Sequence, residues 1–158
     1  MNSVISVANS SSSLCQDLLA AALNLADSAE FLKKVLPQIA TQSGGDVAAV
    51  MQNTGGIWTP MGSSGASVTP PAELLTEALD RETPQSRSGW IVAPLENHAA
   101  SGELLAVRLP AAAQPSTVQP LIEAAAIQLG HGLAAVRAAE RQRRRRDRLQ
   151  TLLNIASE

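Results

Sequence analysis

The sequence predicts an α+β fold, in which a central antiparallel sheet is flanked by N- and C-terminal helices and the C-terminal helix projects beyond the domain. Two patterns carry this prediction. Apolar residues recur every three or four positions near both ends of the chain, which is typical of amphipathic helices. The middle contains two pairs of short β-prone segments joined by turn residues, which is typical of hairpins. With 158 residues, of which 45% are hydrophobic, the chain is long enough to bury one core.

Two helices are predicted before the sheet. Ser13 and Gln16 have the spacing of a capping box, and residues 13–26 then follow a helical pattern. Asp27, with Glu30 three positions later, starts a second helix. Pro37 is expected to bend this helix. Its apolar face comprises Phe31, Leu32, Val35, Leu36 and Ile39. The Ser-rich residues 1–12 are expected to form a flexible leader.

The strand predictions cover two hairpins separated by a helix. Residues 47–52 and 57–59 are joined by a turn that contains two glycines, and they form the first hairpin. Residues 63–68 are expected to be a Gly/Ser loop. A helix then starts at Pro71 and stops before Pro84. The second hairpin comprises residues 90–95 and 103–109.

The last helix is predicted to run from Thr117 almost to Glu158, and at about 1.5 Å per residue it would be about 60 Å long. Its apolar seam runs to Val136, gives way to charged residues, and resumes out of phase at Leu149, which is typical of a coiled-coil stutter. Residues 13–136 are therefore assigned to the domain and residues 137–158 to a coiled coil that leads to a further domain of a longer protein. The residues expected to form the helix of a homodimer are Leu129, Leu133, Val136, Leu149 and Leu153.

Composition excludes several classes of protein. Aromatic residues make up only 2% of the chain, which argues against folds that bind nucleic acid by base stacking. The single Cys15 excludes an internal disulfide framework and a Cys-rich zinc site. The sequence has no secretory signal and no apolar run of membrane-spanning length, so we expect a cytoplasmic protein without a membrane partner.

Charge divides the chain into two parts. Residues 1–136 contain 5 Lys and Arg against 11 Asp and Glu, whereas residues 137–158 contain 7 against 3. The basic part includes six arginines between Arg141 and Arg148. Such a run can neutralise the phosphates of nucleic acid. Because helical seam flanks it on both sides, a solvated interval of a coiled coil is the preferred interpretation and nucleic acid the disfavoured one.

The order of elements resembles that of a GAF domain, the small-molecule sensor module of bacterial and eukaryotic signalling proteins. Residues 31–40 and 44–50 look like the second helix of that family entering its first strand. Residues 92–95 and 102–107 resemble its apolar-Pro-Leu strand and the strand that follows, with Ala106 where Gly is usual. Residues 122–133 look like the closing Ala-rich helix. Residues 141–158 resemble the signalling helix that joins a GAF domain to the next domain, which implies that the coiled coil 137–158 is a signalling helix. The resemblance implies a sensor domain in a bacterial multidomain protein of signal transduction or transcription regulation.

The chain also departs from well-characterised members of this family. The cyclic-nucleotide signature is absent, Cys15 does not correspond to the bilin-attaching cysteine, and one cysteine cannot support sulfoxide reduction. The segment 60–88 is short for the region that covers the ligand pocket. The resemblance therefore implies a small or degenerate pocket. Its candidate ligand-binding residues are Trp58, Met61, Ser63, Ser64 and Trp90, although core packing of the tryptophans and a solvated loop at the serines remain open.

No catalytic or metal-binding arrangement is recognised. His98 is expected in a turn, and His131 at a close helix contact between two glycines; neither has carboxylate or Cys partners at metal spacing. No nucleophile and base have recognisable spacing. We therefore expect no enzyme, no metal and no cofactor. The predicted function is a non-catalytic regulatory domain that passes a signal through a dimeric helix; the alternatives are a ligand-free dimerisation scaffold and a DNA-binding helix.

Overall fold

The computed structural model describes residue 16 and residues 27–95, 102–111 and 115–157. The described ranges contain three helices and five strands in the order α1, β1, β2, α2, β3, β4, β5, α3. Their bounds are Ser28–Ser43 for α1, Val47–Thr54 for β1, Ile57–Gly65 for β2, Ala72–Arg81 for α2, Gln85–Arg87 for β3, Trp90–Pro94 for β4, Glu103–Arg108 for β5 and Pro115–Ala156 for α3. The leader 1–12 and the helix expected at 13–26 lie outside the described residues, except Gln16, which is helical.

The strands form one antiparallel sheet in the order β2-β1-β5-β4-β3. The predicted α+β class, with both hairpins, flanking helices and a long C-terminal helix, is confirmed. Two details differ from the prediction. Residues 63–65 continue β2, because β1 is long enough to pair with them. The short, polar edge strand β3 was not predicted, because Gln85–Arg87 has no apolar alternation that would mark it as a strand.

Helices α1 and α3 cover one face of the sheet. The side chain of Asp27 caps α1 by accepting a hydrogen bond from the backbone N–H of Glu30 at 2.7 Å, as the sequence predicted. Pro37 lies inside α1 without ending it. The large buried side chains of this layer come from both helices and from alternate strand positions; they include Phe31, Leu36, Ile39, Ile91, Leu105, Ile122, Leu129 and Leu133.

A glycine, and not the neighbouring histidine, makes the close contact between α1 and α3. A Cβ atom on Gly132 would lie 2.6 Å from Cζ of Phe31, so only glycine allows the helices to approach at this point. The expectation of a close contact at these glycines holds, whereas His131 itself is exposed on the opposite side of α3.

Among the described helices, α2 alone packs on the other face of the sheet. Its buried residues Leu74, Leu75 and Ala78 pack on Trp90 and on the alternate residues of β1, β4 and β5. Among the described residues, no helix combines the length and apolar character that crossing a bilayer requires.

Polar contacts mark the point where α3 leaves the domain. The guanidinium of Arg137 donates two hydrogen bonds, of 2.7 and 3.1 Å, to the carboxylate of Glu103, whose side chain is only 1% exposed. One turn later the carboxylate of Glu140 accepts a hydrogen bond from the backbone N–H of Ser28 at 2.6 Å. Every described residue after Glu140 is exposed. The helix therefore projects about 24 Å beyond its last contact.

This geometry changes the interpretation of the predicted seam. Leu129, Leu133 and Val136 are buried in the core of their own chain, so these side chains are not available to a second copy. Leu149 and Leu153 are exposed and belong to the projecting part of α3. The apparent phase break therefore separates the core face, which carries Leu129, Leu133 and Val136, from an exposed face, which carries Leu149 and Leu153. It is not a stutter within one coiled-coil seam.

We predict that Arg137→Ala lowers the free energy of unfolding by about 3 kcal/mol, because it removes the cation that donates two hydrogen bonds to the buried carboxylate of Glu103. The double variant Glu103→Leu, Arg137→Met should recover most of this loss, since two apolar side chains leave no buried charge. Urea unfolding followed by circular dichroism measures both.

The other end of β5 provides a matched control. Arg108 also binds a carboxylate through two hydrogen bonds, of 2.9 and 2.7 Å, to Asp46, but this pair is solvent-exposed. Arg108→Ala should therefore cost much less stability than Arg137→Ala. Equal losses for the two variants would contradict the role assigned to burial.

Candidate functional site

A cavity of about 360 Å³ lies on the α2 face of the sheet, beside β1 and β2. The strands form its floor, and the connection from β2 to α2 forms its wall. The lining residues are Ala49, Met51, Trp58, Pro60, Ser63, Ala66, Ser67, Val68, Thr69 and Pro70. This volume lies near the lower end of the range of about 300–1,000 Å³ that is usual for small-molecule sites.

The pairing of β1 with β2 explains which residues form the floor. Ala49 pairs with Ser63, and Met51 pairs with Pro60, so all four side chains lie on the same face. Between these pairs β2 contains one extra residue, Met61, where the register shifts. This β-bulge shifts the alternation of β2 by one residue, so that Pro60 and Ser63 face the cavity although they are three positions apart. Small side chains at Ala49 and Ser63 leave the space open.

Trp58 connects the cavity to α2. Its indole N–H donates a hydrogen bond to the hydroxyl oxygen of Thr76 at 3.2 Å, and that hydroxyl donates to the backbone carbonyl of Ala72 at 2.9 Å. The ring lines the cavity and also packs against the core layer under α2. A molecule that enters the cavity would therefore contact a side chain that holds α2 to the sheet.

The cavity offers hydroxyl groups and apolar surface. Among the described lining residues there is no charged side chain, and the side-chain polar groups are the indole N–H of Trp58, which is bonded to Thr76, and the hydroxyls of Ser63, Ser67 and Thr69. Hydroxyls donate and accept hydrogen bonds, so they can orient a polar ligand without neutralising a charge. The nearby ion pair of Asp46 and Arg108 is outside this lining. Hydrogen bonds from Arg108 lower the pKa of the Asp46 carboxyl below its usual range.

The structure brings together two of the five predicted ligand-binding residues. Trp58 and Ser63 line the cavity. Met61 packs against the core layer on the helix side of the sheet, and Ser64 pairs with Ala48, whose side chain belongs to that same layer. Trp90 is on the cavity face, but it is buried in the core cluster with the α2 residues.

Sequence analysis missed most of the cavity lining. The sequence places Ala49 and Met51 in a strand without a further role, and it predicts a Gly/Ser loop at residues 63–68 followed by a helix start at Pro71. The alternation of a half-buried strand predicts which residues share a face. This rule does not identify the cavity-facing residues of β2, because the bulge at Met61 shifts the alternation of that strand.

Metal ions in proteins are bound by groups of His, Cys, Asp and Glu side chains. No group of three or more such residues in the described part of the chain is placed to hold a metal ion. His131 is exposed on α3. Cys15 and His98 lie outside the described residues.

Comparison with solved structures identifies the fold. The GAF domain of nlh2 from A. aeolicus, crystallised in an inactive state, superimposes with a TM-score of 0.67 at 12% identity, over 81% of this chain and 98% of that domain. The GAF domain of a phosphoenolpyruvate-protein phosphotransferase from Coxiella burnetii gives 0.65 at 13% identity, over 83% and 96%. The corresponding Acinetobacter domain gives 0.60 at 12%, over 82% and 93%.

The chain has a GAF fold. The resemblance that the sequence suggested is confirmed at the level of the fold, even though no protein-family model and no curated protein matches the sequence. Identities of 12–13% are too low to carry residue roles from these GAF domains to this chain. The roles of residues in this chain therefore depend on the geometry of its own cavity.

The two tryptophans allow a direct test of this geometry. In Trp90→Phe, emission comes from Trp58 at the cavity, and we predict red-shifted fluorescence that acrylamide quenches. In Trp58→Phe, emission comes from the buried Trp90, and we predict blue-shifted fluorescence with several-fold weaker quenching. Similar quenching in two variants with intact circular dichroism would contradict this placement.

Proposed function

We propose that this GAF domain is a non-catalytic sensory and regulatory module of a bacterial multidomain signalling or transcription-regulatory protein. The observation that carries the proposal is the cavity lined by Trp58 and Ser63, on the face of the sheet opposite the long helix α3. Its hydroxyl and apolar lining fits a small, uncharged molecule. The similar GAF domains from the two phosphotransferases are parts of larger enzymes, which agrees with a modular role.

Two strands connect the cavity to the long helix. Met51 of β1 lines the cavity and pairs with Leu104 of β5. The adjacent residue on β5 is Glu103, whose carboxylate binds Arg137 on the opposite face. Because β1 and β5 are neighbouring strands, a ligand that moves β1 acts one strand away from the ion pair between Glu103 and Arg137 that holds α3. Binding would favour one position of α3 over another, and α3 would pass that change to an output module.

A second copy of the chain is the proposed partner of α3. One side of this helix, opposite its core side, carries exposed residues separated by alternating steps of four and three, the repeat of a coiled-coil seam. This outward seam comprises Ile127, His131, Ala134, Ala138, Arg141, Arg145, Arg148, Leu152 and Ile155. Leu152 and Ile155 are 61% and 65% exposed in the single chain. Pairing of two such helices would remove this apolar surface from water.

The cavity can be tested by filling it. We predict that the purified chain retains a small molecule in native mass spectrometry and that Ser63→Leu loses it, because the larger side chain occupies the cavity floor. Thr59→Leu is the matched control, since Thr59 is exposed, lies on the same strand and does not line the cavity. Thermal unfolding of both variants establishes that they fold.

Two results would count against the sensor. A ligand that remains bound in folded Ser63→Leu would place binding elsewhere. A chain that carries no ligand and gains no thermal stability from any member of a metabolite library would favour the alternative, a ligand-free dimerisation scaffold.

The seam is tested by adding charge to it. We predict that Leu152→Asp weakens dimerisation at least about tenfold in sedimentation velocity, since it places two carboxylates opposite each other in an apolar seam. Asn154→Asp adds the same charge on the opposite side of the helix and should leave the dimer intact. Equal effects of the two variants, or none, would contradict this seam.

A further inference from the structure

Three arginines interrupt the outward seam of α3. Arg141, Arg145 and Arg148 follow Ala134 and Ala138 and precede Leu152 and Ile155 in one unbroken repeat of threes and fours. Ala138, Arg141, Arg145 and Arg148 also line a common surface groove on the projecting helix, to which Gln142, Arg144 and Leu149 contribute from beside the seam. The seam is thus apolar, then strongly basic, then apolar again.

The charges of this interval are uncompensated within the described chain. Among the described residues, none of these three guanidiniums has an ion-pair partner within 4 Å. Arg141 and Arg145 are one turn apart on the same side of the helix, a like-charge spacing that destabilises a helix. All three are exposed. An anion that neutralised them would stabilise both the helix and any pairing of it.

In a parallel, in-register pair of helices, the three seam arginines of one copy face the three seam arginines of the other. This arrangement places Ala138 beside Ala138 and Leu152 beside Leu152, whereas an antiparallel pair centred on Arg145 would place Leu152 against Ala138. Parallel pairing therefore places Leu152 of one copy against Leu152 of the other, so that large apolar side chains contact each other. It also faces Arg145 against its own copy, with Arg141 and Arg148 one turn away on each side.

We propose that these residues form an anion site between two copies of α3, and that a multivalent phosphate anion bound there controls dimerisation. The inference rests on the proposed dimer. Six guanidiniums, three from each copy, converge on a short length of the seam. Each guanidinium presents a planar fork of donors that matches phosphate oxygens in a bidentate manner. Without the anion, their mutual repulsion keeps the middle of the seam apart.

A nucleic acid is the less suitable source of the phosphate. The body of the domain, residues 1–136, has a net charge of −6. The arginines of the seam would be enclosed between two helices, where a small anion fits and a duplex does not. Arg143, Arg144 and Arg146 lie outside this seam, so a nucleic acid would use them as readily as the seam arginines.

The test measures dimerisation of the chain in chloride and in pyrophosphate at equal ionic strength, by sedimentation equilibrium. We expect pyrophosphate to tighten the dimer at least about tenfold. Arg145→Leu should dimerise tightly in chloride and lose the response to pyrophosphate. Arg143→Leu, which removes the same charge from the opposite side of the helix, should keep the response.

The outcomes separate the anion site from the dimer on which it rests. The anion site alone is overturned if the dimer dissociation constant is the same in pyrophosphate as in chloride. It is also overturned if pyrophosphate changes this constant equally in Arg145→Leu and Arg143→Leu. A monomer under all conditions, including Arg145→Leu, overturns the seam and the anion site together. In a parallel arm with duplex DNA at the same phosphate concentration, tight binding that both variants weaken equally would assign the arginines to nucleic acid and overturn the proposal.

Discussion

The buried ion pair between Glu103 and Arg137 determines where α3 changes from a core helix into a projecting one. Up to Val136 the helix is held by apolar packing against the sheet and α1. Arg137 then binds the carboxylate at the start of β5, and Glu140 caps the N-terminus of α1. Breaking this pair would leave a charge buried, a cost larger than that of losing an exposed ion pair. The pair therefore fixes the rotation of α3 about its axis, and hence the direction that its outward seam faces.

The two faces of the sheet have different roles because different elements cover them. Two helices bury the first face, and its residues form a continuous apolar layer. The shorter α2 covers only part of the second face, and the β2–α2 connection leaves a cavity over the small side chains of Ala49 and Ser63. Since β1 and β5 contribute residues to both faces, the cavity and the ion pair with α3 share the same two strands. The proposed regulatory role depends on this short connection more than on any single residue.

The apolar periodicity of α3 has two meanings that one sequence pattern cannot separate. Leu129, Leu133 and Val136 recur at helical spacing because they pack on the sheet, whereas Leu152 and Ile155 recur because they lie along the exposed side. Periodicity records that a face is apolar but not what covers it. The same limit applies to β2, where the extra residue Met61 places Ser63 in the cavity and puts Ser64 in register with Ala48, which faces the helices. Residues 66–70 were not recognised as cavity wall because a polar connection and a binding loop have the same composition.

The sequence by itself determined the order of the described elements other than β3, the α+β class, the cap at Asp27, the GAF resemblance and the change from an acidic body to a basic helix. Each of these depends on neighbouring residues, whose spacing and propensity are read locally along the chain. Only the tertiary structure decided which residues share the cavity, that Gly132 and not His131 meets Phe31, and that Arg137 pairs with Glu103, 34 positions away. Such contacts depend on strand register and helix rotation, which many distant residues set together.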